Sequence, residues 1–183
     1  KNWLREESSF LRCSFYTPWS GSKSINSLEK YGDKISVVFP EWFFIDTSNT
    51  GKIELRIDST GLAQMRQKKL RIMPMLTNFN SSLKDFDGNL IHPILNNLAT
   101  QKIFIQNLVD TLTKYKFSGI NIDFEELKES SNRPLSIFQK NLYTQLHAKG
   151  LIVTQDVAVN DNDYNLKELI NYNDYVILMA YDE

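Results

Sequence analysis

Short apolar runs alternate along this chain with stretches whose apolar residues recur every three or four positions. The runs read as strands and the stretches as amphipathic helices. In order, the pattern predicts a strand over 11–16, a helix over 24–30, a strand over 34–39, a helix over 59–69 and a strand over 70–76. A long helix over about 95–115 follows a polar loop at Asp87-Gly88, and a central strand runs through 117–125. A helix over 134–148, with Gly150 as its stop, leads to a strand over 151–159, a short helix over 166–171 and a strand over 174–179. Asn49-Thr50-Gly51 reads as the turn of a small hairpin excursion between the second strand and the next helix.

The central strand has the sharpest pattern. Ile120, Ile122 and Phe124 alternate with Gly119, Asn121, Asp123 and Glu125. A strand sends successive side chains to opposite faces, so the polar set shares one face and the apolar set packs against helices. Charge has been placed on a face that folding alone would leave apolar. Two carboxyl groups two residues apart push their proton affinities apart, so one can stay protonated while the other is ionised. That is equipment for general-acid chemistry at a sugar-oxygen bond. The alternative reading has Asp123 and Glu125 at the strand's end in solvent, capping the following helix.

Strict alternation of strands and helices implies a parallel sheet with right-handed crossovers. An open, doubly wound nucleotide-binding sheet calls for a glycine-rich turn after its first strand. Thr17-Pro18-Trp19-Ser20-Gly21 stands there instead. Polar and aromatic residues gather at the carboxyl ends of the strands: Tyr16 and Trp19, Glu41 and Trp42, Asn78 and Phe79, Asn160, Tyr181 and Asp182. A (β/α)8 TIM-type barrel collects its site from such ends. The expected class is therefore α/β, an incomplete barrel with about six of eight strand-helix units. The first and sixth strands should not pair, and residues 1–183 read as one domain belonging to a longer chain.

Composition adds few constraints. With 42% hydrophobic residues, 23% charged residues and a net charge of −1, nothing favours nucleic acid or an anionic membrane surface as a partner. No apolar run approaches a membrane span, so no membrane contact is expected from this segment. Cys13 is the only cysteine, lies in an apolar run and is expected in the core. His92, before Pro93 in a loop, and His147, facing solvent late in a helix, are the two histidines. They lack zinc-ligand spacing, and no metal or other cofactor is implied. Asp156 belongs either to the site or to the barrel interior as a satisfied polar residue. Trp19 and Trp42 could each stack on a sugar ring or pack under a loop.

Gly119-Ile-Asn-Ile-Asp-Phe-Glu125 resembles the fourth-strand signature of glycoside hydrolase family 18, usually Asp-Gly-x-Asp-x-Asp-x-Glu. Met179-Ala-Tyr-Asp182 is similar to the family's sixth-strand Met-x-Tyr-Asp. Thr77-Asn-Phe79 and Leu146-His-Ala-Lys-Gly150 are most similar to the branch acting on bacterial glucosamine polymers. That branch includes spore-germination glucosaminidases and modules fused to polysaccharide deacetylase or glycosyltransferase domains. The resemblance implies an N-acetylglucosamine-containing glycan as partner, an extracytoplasmic or cell-envelope location, and substrate-assisted hydrolysis in which the sugar's acetamide is the nucleophile. Carried over position by position, Glu125 is the acid, Asp123 orients the acetamide, and Tyr181 donates to the acetamide oxygen. Asn121, Tyr16, Trp19, Trp42, Asn78 and Asp182 would bind substrate. Two positions depart from the signature: Ser118 on the apolar face and Asn121 beside Asp123. Because an amide cannot share a proton, Asp123 is expected to stay ionised. A chitinase-like module that binds the glycan without cutting it is the alternative.

Overall fold

A computed structural model describes residues 11–49, 51–128, 132–159 and 161–181. In chain order its strands and helices begin with β1 (Cys13–Tyr16), α1 (Ser22–Tyr31), β2 (Val37–Ile45), β3 (Ile53–Leu55) and α2 (Ser59–Gln67). Then come β4 (Arg71–Ile72), β5 (Met75–Thr77), β6 (Phe79–Asn80), β7 (Asp85–Phe86), α3 (Gly88–Leu95) and α4 (Leu98–Lys114). The chain continues through β8 (Gly119–Asp123), α5 (Asn132–His147), β9 (Ile152–Ala158), α6 (Leu166–Leu169) and β10 (Tyr175–Met179).

Six parallel strands lie in the order β1-β2-β5-β8-β9-β10, with β4 extending the third position and β3 antiparallel on β2. The sheet curls into a half-barrel with the helices outside. Among the described residues β1 pairs only with β2 and β10 only with β9. Ile120, Ile122 and Phe124 are fully buried in one cluster with Phe104 and Leu108 of α4 and Phe138 and Leu142 of α5. The expected facing of β8 therefore holds, because helical stripes on α4 and α5 need an apolar sheet face to cover.

Several boundaries differ from the expectation, each for a local reason. The third strand breaks into β4 and β5 at Met73-Pro74, where proline offers no ladder donor. The long helix forms as α4, and α3 precedes it where loop was expected, because Asp87 and Asn97 each cap a start: Asp87 accepts from Asn89 N–H, and Asn97 from Ala99 and Thr100 N–H. His92 and Pro93 consequently lie inside α3 and not in a loop. The polar stretch before them forms the β6–β7 hairpin. Cys13 is exposed, against the expectation of a core position. It shares the concave face of the edge strand β1 with Phe15, and helices cover only the other face. His147 lies 2.9 Å from the Asp174 carboxylate, just before β10, and stacks on Tyr143.

Gly119 has a packing requirement. A Cβ there would sit inside van der Waals contact of the Ile152 carbonyl oxygen, and of backbone on the adjacent strand, which cannot yield like a side chain. Gly119→Ala should therefore push β8 and β9 apart and destabilise the fold by about 2 kcal/mol, within the range for overpacked cores. Urea unfolding checks this: the midpoint should fall with an unchanged slope.

Candidate active site

A cleft of about 940 Å³ opens at the carboxyl ends of the strands. Phe15, Thr17 and Trp19 form one side, and Glu41 and Phe44 come from β2. Phe79, Ser81, Lys84 and Phe86 of the β6–β7 hairpin, with Arg56, make the opposite rim, and Met179 and Tyr181 close the end beyond β10. Asp123, Glu125 and Asp156 stand at the bottom.

Glu125 lies two residues past the end of β8, where the ladder no longer holds the backbone. Side chains from elsewhere take over. Asn78 clasps Glu125 on both sides: its Nδ2 donates to the Glu125 carbonyl at 2.8 Å, and its Oδ1 accepts from the Glu125 N–H at 3.0 Å. The Tyr164 hydroxyl donates to the Phe124 carbonyl at 2.6 Å, and the Asp163 carboxylate accepts from Lys128 N–H at 2.7 Å. His92 Nε2 lies 2.7 Å from the Leu127 carbonyl, and since a carbonyl only accepts, that nitrogen carries the proton. Glu126 and Lys128 take left-handed conformations at φ 54° and 70°. A non-glycine residue held there stores strain that the surrounding bonds must outweigh. Gly88 leaves room for this path, because a Cβ on it would strike the Glu126 carbonyl oxygen.

Beneath the cleft the carboxyls are crowded. Asp156 accepts from Asn121 Nδ2 at 2.6 Å, and Asn121 Oδ1 accepts from the Thr154 hydroxyl at 2.6 Å. Burial pushes the Asp123 carboxyl well above the usual carboxylate range, with the charges of Asp156, Glu125 and Glu41 adding to it and the Thr77 hydroxyl opposing. Asp123 was expected to stay ionised. Its burial overturns that expectation: the site favours its protonated form. Burial likewise raises Asp156 to about 7, against the hydrogen bond from Asn121 and with help from Glu125. Glu41 is raised by burial too, while the Trp19 indole N–H that donates to it and the nearby Arg56 pull the other way.

Of the residues expected in the site, Asp123, Glu125, Trp19 and Tyr181 line the cleft. Trp19 is 74% exposed, tethered to Glu41 with its ring over the opening. Asn121 is buried just below, bonded to its neighbours. Asn78 is fully buried and spends its amide on Glu125, so it positions and does not touch substrate. Tyr16 faces the helices, where its hydroxyl donates to the Asp58 carboxylate that caps α2; Phe15 and Thr17, one position away, face the cleft instead. Trp42 is fully buried against Tyr16 and Phe117. It is the extra residue of a bulge: Glu41 registers with Met75 and Phe43 with Leu76, leaving Trp42 without a partner. The bulge shifts the parity, so Phe44 faces the cleft. Asp182 and Asn160 lie outside the described residues.

Sequence reasoning missed Phe44 and the Arg56 guanidinium stacked 4.0 Å over its ring. Arg56 is held there by Glu54 at 2.7 and 2.9 Å and by Ser81 at 2.8 Å. It also missed Tyr164. None carries a local motif; only the parity of β2, had the bulge been visible, could have pointed to Phe44. Among the described residues no group of three or more His, Cys, Asp and Glu could hold a metal ion, and no helix is long and apolar enough to cross a membrane.

Residues 12–183 match the family model described as Glycosyl hydrolases family 18. The chain is 28% identical over 169 residues to the uncharacterized glycosylase YvbX of Bacillus subtilis, covering 87% of this chain and 48% of that protein. It is 25% identical over 149 residues to the cortical fragment-lytic enzyme of Bacillus anthracis, covering 77% of this chain and 34% of that one. The chain thus spans less than half the length of these relatives. A crystal structure of a chitinase from Chromobacterium violaceum shares the fold with a TM-score of 0.84 at 23% identity, over 94% of this chain and 56% of that one.

Two outcomes follow from the site. Asn78→Ala should leave the Glu125 N–H and carbonyl unpaired and cost on the order of 2 kcal/mol, with faster hydrogen exchange at the Glu125 amide than at β8 amides. The second concerns pH. Asp156 binds its proton more tightly folded than unfolded, so its contribution is fully present below pH ~4 and is lost as pH rises through about 7. The unfolding free energy should decline across that window by on the order of 4 kcal/mol from this group. Asp156→Asn should flatten the decline in urea titrations at stepped pH.

Proposed function

The chain belongs to family 18 of the glycosyl hydrolases, and we propose on that footing that it hydrolyses N-acetylglucosamine-containing polysaccharide of the chitin, peptidoglycan or poly-N-acetylglucosamine type. The observation that carries the reading is the clasped Glu125 at the bottom of an aromatic-sided cleft, beside Asp123. A binding module needs the aromatic walls but has no use for a carboxyl whose backbone is held on both sides.

In this reading Glu125 protonates the leaving oxygen. The substrate's own acetamide attacks the anomeric carbon, which removes the need for a second protein carboxylate at nucleophile distance. Asp123 faces the acetamide nitrogen and stabilises the positive charge that builds there. Tyr181 donates to the acetamide oxygen. Trp19 offers a ring face to the apolar face of a sugar, while Phe44 lines the cleft beneath the Arg56 guanidinium. The polymers concerned lie in cell walls and biofilms, so the place of work is the cell envelope or beyond.

Glu125→Gln keeps the shape but removes the acid. Turnover of acetylated oligomers should fall by a factor on the order of a hundred or more, while their affinity, measured calorimetrically, stays within a few-fold. Deacetylated oligomers should not be cleaved by the unmodified protein. Equal cleavage of both substrates would refute acetamide assistance, and binding with no turnover at all would favour the glycan-binding alternative.

A further inference from the structure

The reading above leaves Asp156 without a task. It is buried at 1% exposure, yet it borders the cleft with Asp123. Its Oδ2 is bonded to Asn121, whose own orientation is set by the Thr154 hydroxyl. Among the described residues, Asp156 Oδ1 and Asp123 Oδ1 are both buried without a hydrogen-bond partner. A bare carboxylate oxygen in a dry interior is costly, and two carboxylates sharing one such space cannot both ionise. A single proton between them meets both conditions.

We propose that Asp156 is the proton store for Asp123: the pair holds one proton, and its passage from Asp123 to Asp156 gives Asp123 its negative charge when the acetamide develops positive charge. The inference rests on the acetamide reading. The step balances within the pair. The O–H bond on Asp123 breaks, an O–H bond on Asp156 forms, and the negative charge moves the opposite way, so the pair stays at −1. It also resolves a conflict in the site, since burial keeps Asp123 protonated in the free state while the reaction needs its anion. The free-state proton sits on Asp123, because the amide donor of Asn121 on Asp156 favours the ionised form of Asp156. The other ionisable groups acting on the pair are Glu125 after β8 and Glu41 on β2, with Arg56 acting on Glu41. Asp156 thus supplies from β9 the carboxyl that Asn121 cannot provide on β8.

Asp156→Asn tests the idea, because an amide still bonds to Asn121 but cannot take the proton. On acetylated oligomers kcat should fall tenfold or more with KM within about twofold. The exchanged pair, Asn121→Asp with Asp156→Asn, should recover most of that loss, because a carboxyl and an amide again face each other beside Asp123. In the unmodified protein, infrared difference spectra on binding a thiazoline mimic of the cyclised acetamide should show one protonated-carboxyl band shifting without disappearing. Unchanged kcat in a folded Asp156→Asn makes Asp156 a structural acceptor and overturns the proposal. An exchanged pair that folds but recovers nothing also overturns it. Should Asp156→Asn fail to fold, the infrared band decides: no protonated carboxyl responding to the mimic sinks the idea. If the unmodified protein cleaves deacetylated oligomers equally well, the acetamide reading falls first. If it is selective for acetylated ones and Asp156→Asn is unimpaired, only the proton store falls.

Discussion

The site depends on holding a backbone where no sheet can hold it. β8 ends at Asp123, and Glu125 must still be presented at a defined place. The solution is a side chain that imitates a strand. The Asn78 amide offers one donor and one acceptor in the spacing of a peptide group, and Glu125 pairs with it as it would with a neighbouring strand. Tyr164, His92 and Asp163 extend the series to Phe124, Leu127 and Lys128. They come from three places, the end of β5, α3 and the loop before α6, so sheet, helix and loop must all be in place before Glu125 is. The left-handed turns at Glu126 and Lys128 are tolerable only because these bonds outnumber them.

The alternation on β8 was readable from sequence because nothing interrupts it: each face has one environment, and five consecutive residues obey period two. The parallel order of the six strands followed from the same pattern together with the helical stripes. Tyr16 and Trp42 were misplaced for a common reason. Residue type alone suggested sugar stacking, but an aromatic at a strand's carboxyl end reaches the cleft only if its parity is right. On β1 the parity favours Phe15 and Thr17. On β2 one unpaired residue reverses the count partway along. Asn78 was found but given the wrong task, since an exposed amide and a buried one look alike in sequence. Tyr164, forty residues from the carbonyl it holds, has no sequence signature at all.

Electrostatics explains why the polar set lies where it does. Four acids share the strand ends, and the cations on the rim, Arg56 and Lys84, are on the far wall. Arg56 is itself tied to Glu54, so little positive charge reaches the bottom. Burial and mutual repulsion then favour bound protons over bound cations. A site of this kind is suited to moving protons among carboxyls at nearly constant total charge.

The bulge at Trp42 has a consequence for how the strand can change. Before it, odd-numbered positions of β2 face the cleft side, as Phe39 and Glu41 do; after it, the even-numbered Phe44 does. The strand is thus two short words joined by a silent letter. Deleting that letter would leave Phe43 facing the core and Phe44 the cleft, because the residues on either side already keep a regular register, Glu41 with Met75, Phe43 with Leu76 and Phe44 with Thr77. What would go is the indole packed against Tyr16 and Phe117. Cleft wall and core are thus uncoupled at this residue: the one keeps its ring while the other is emptied.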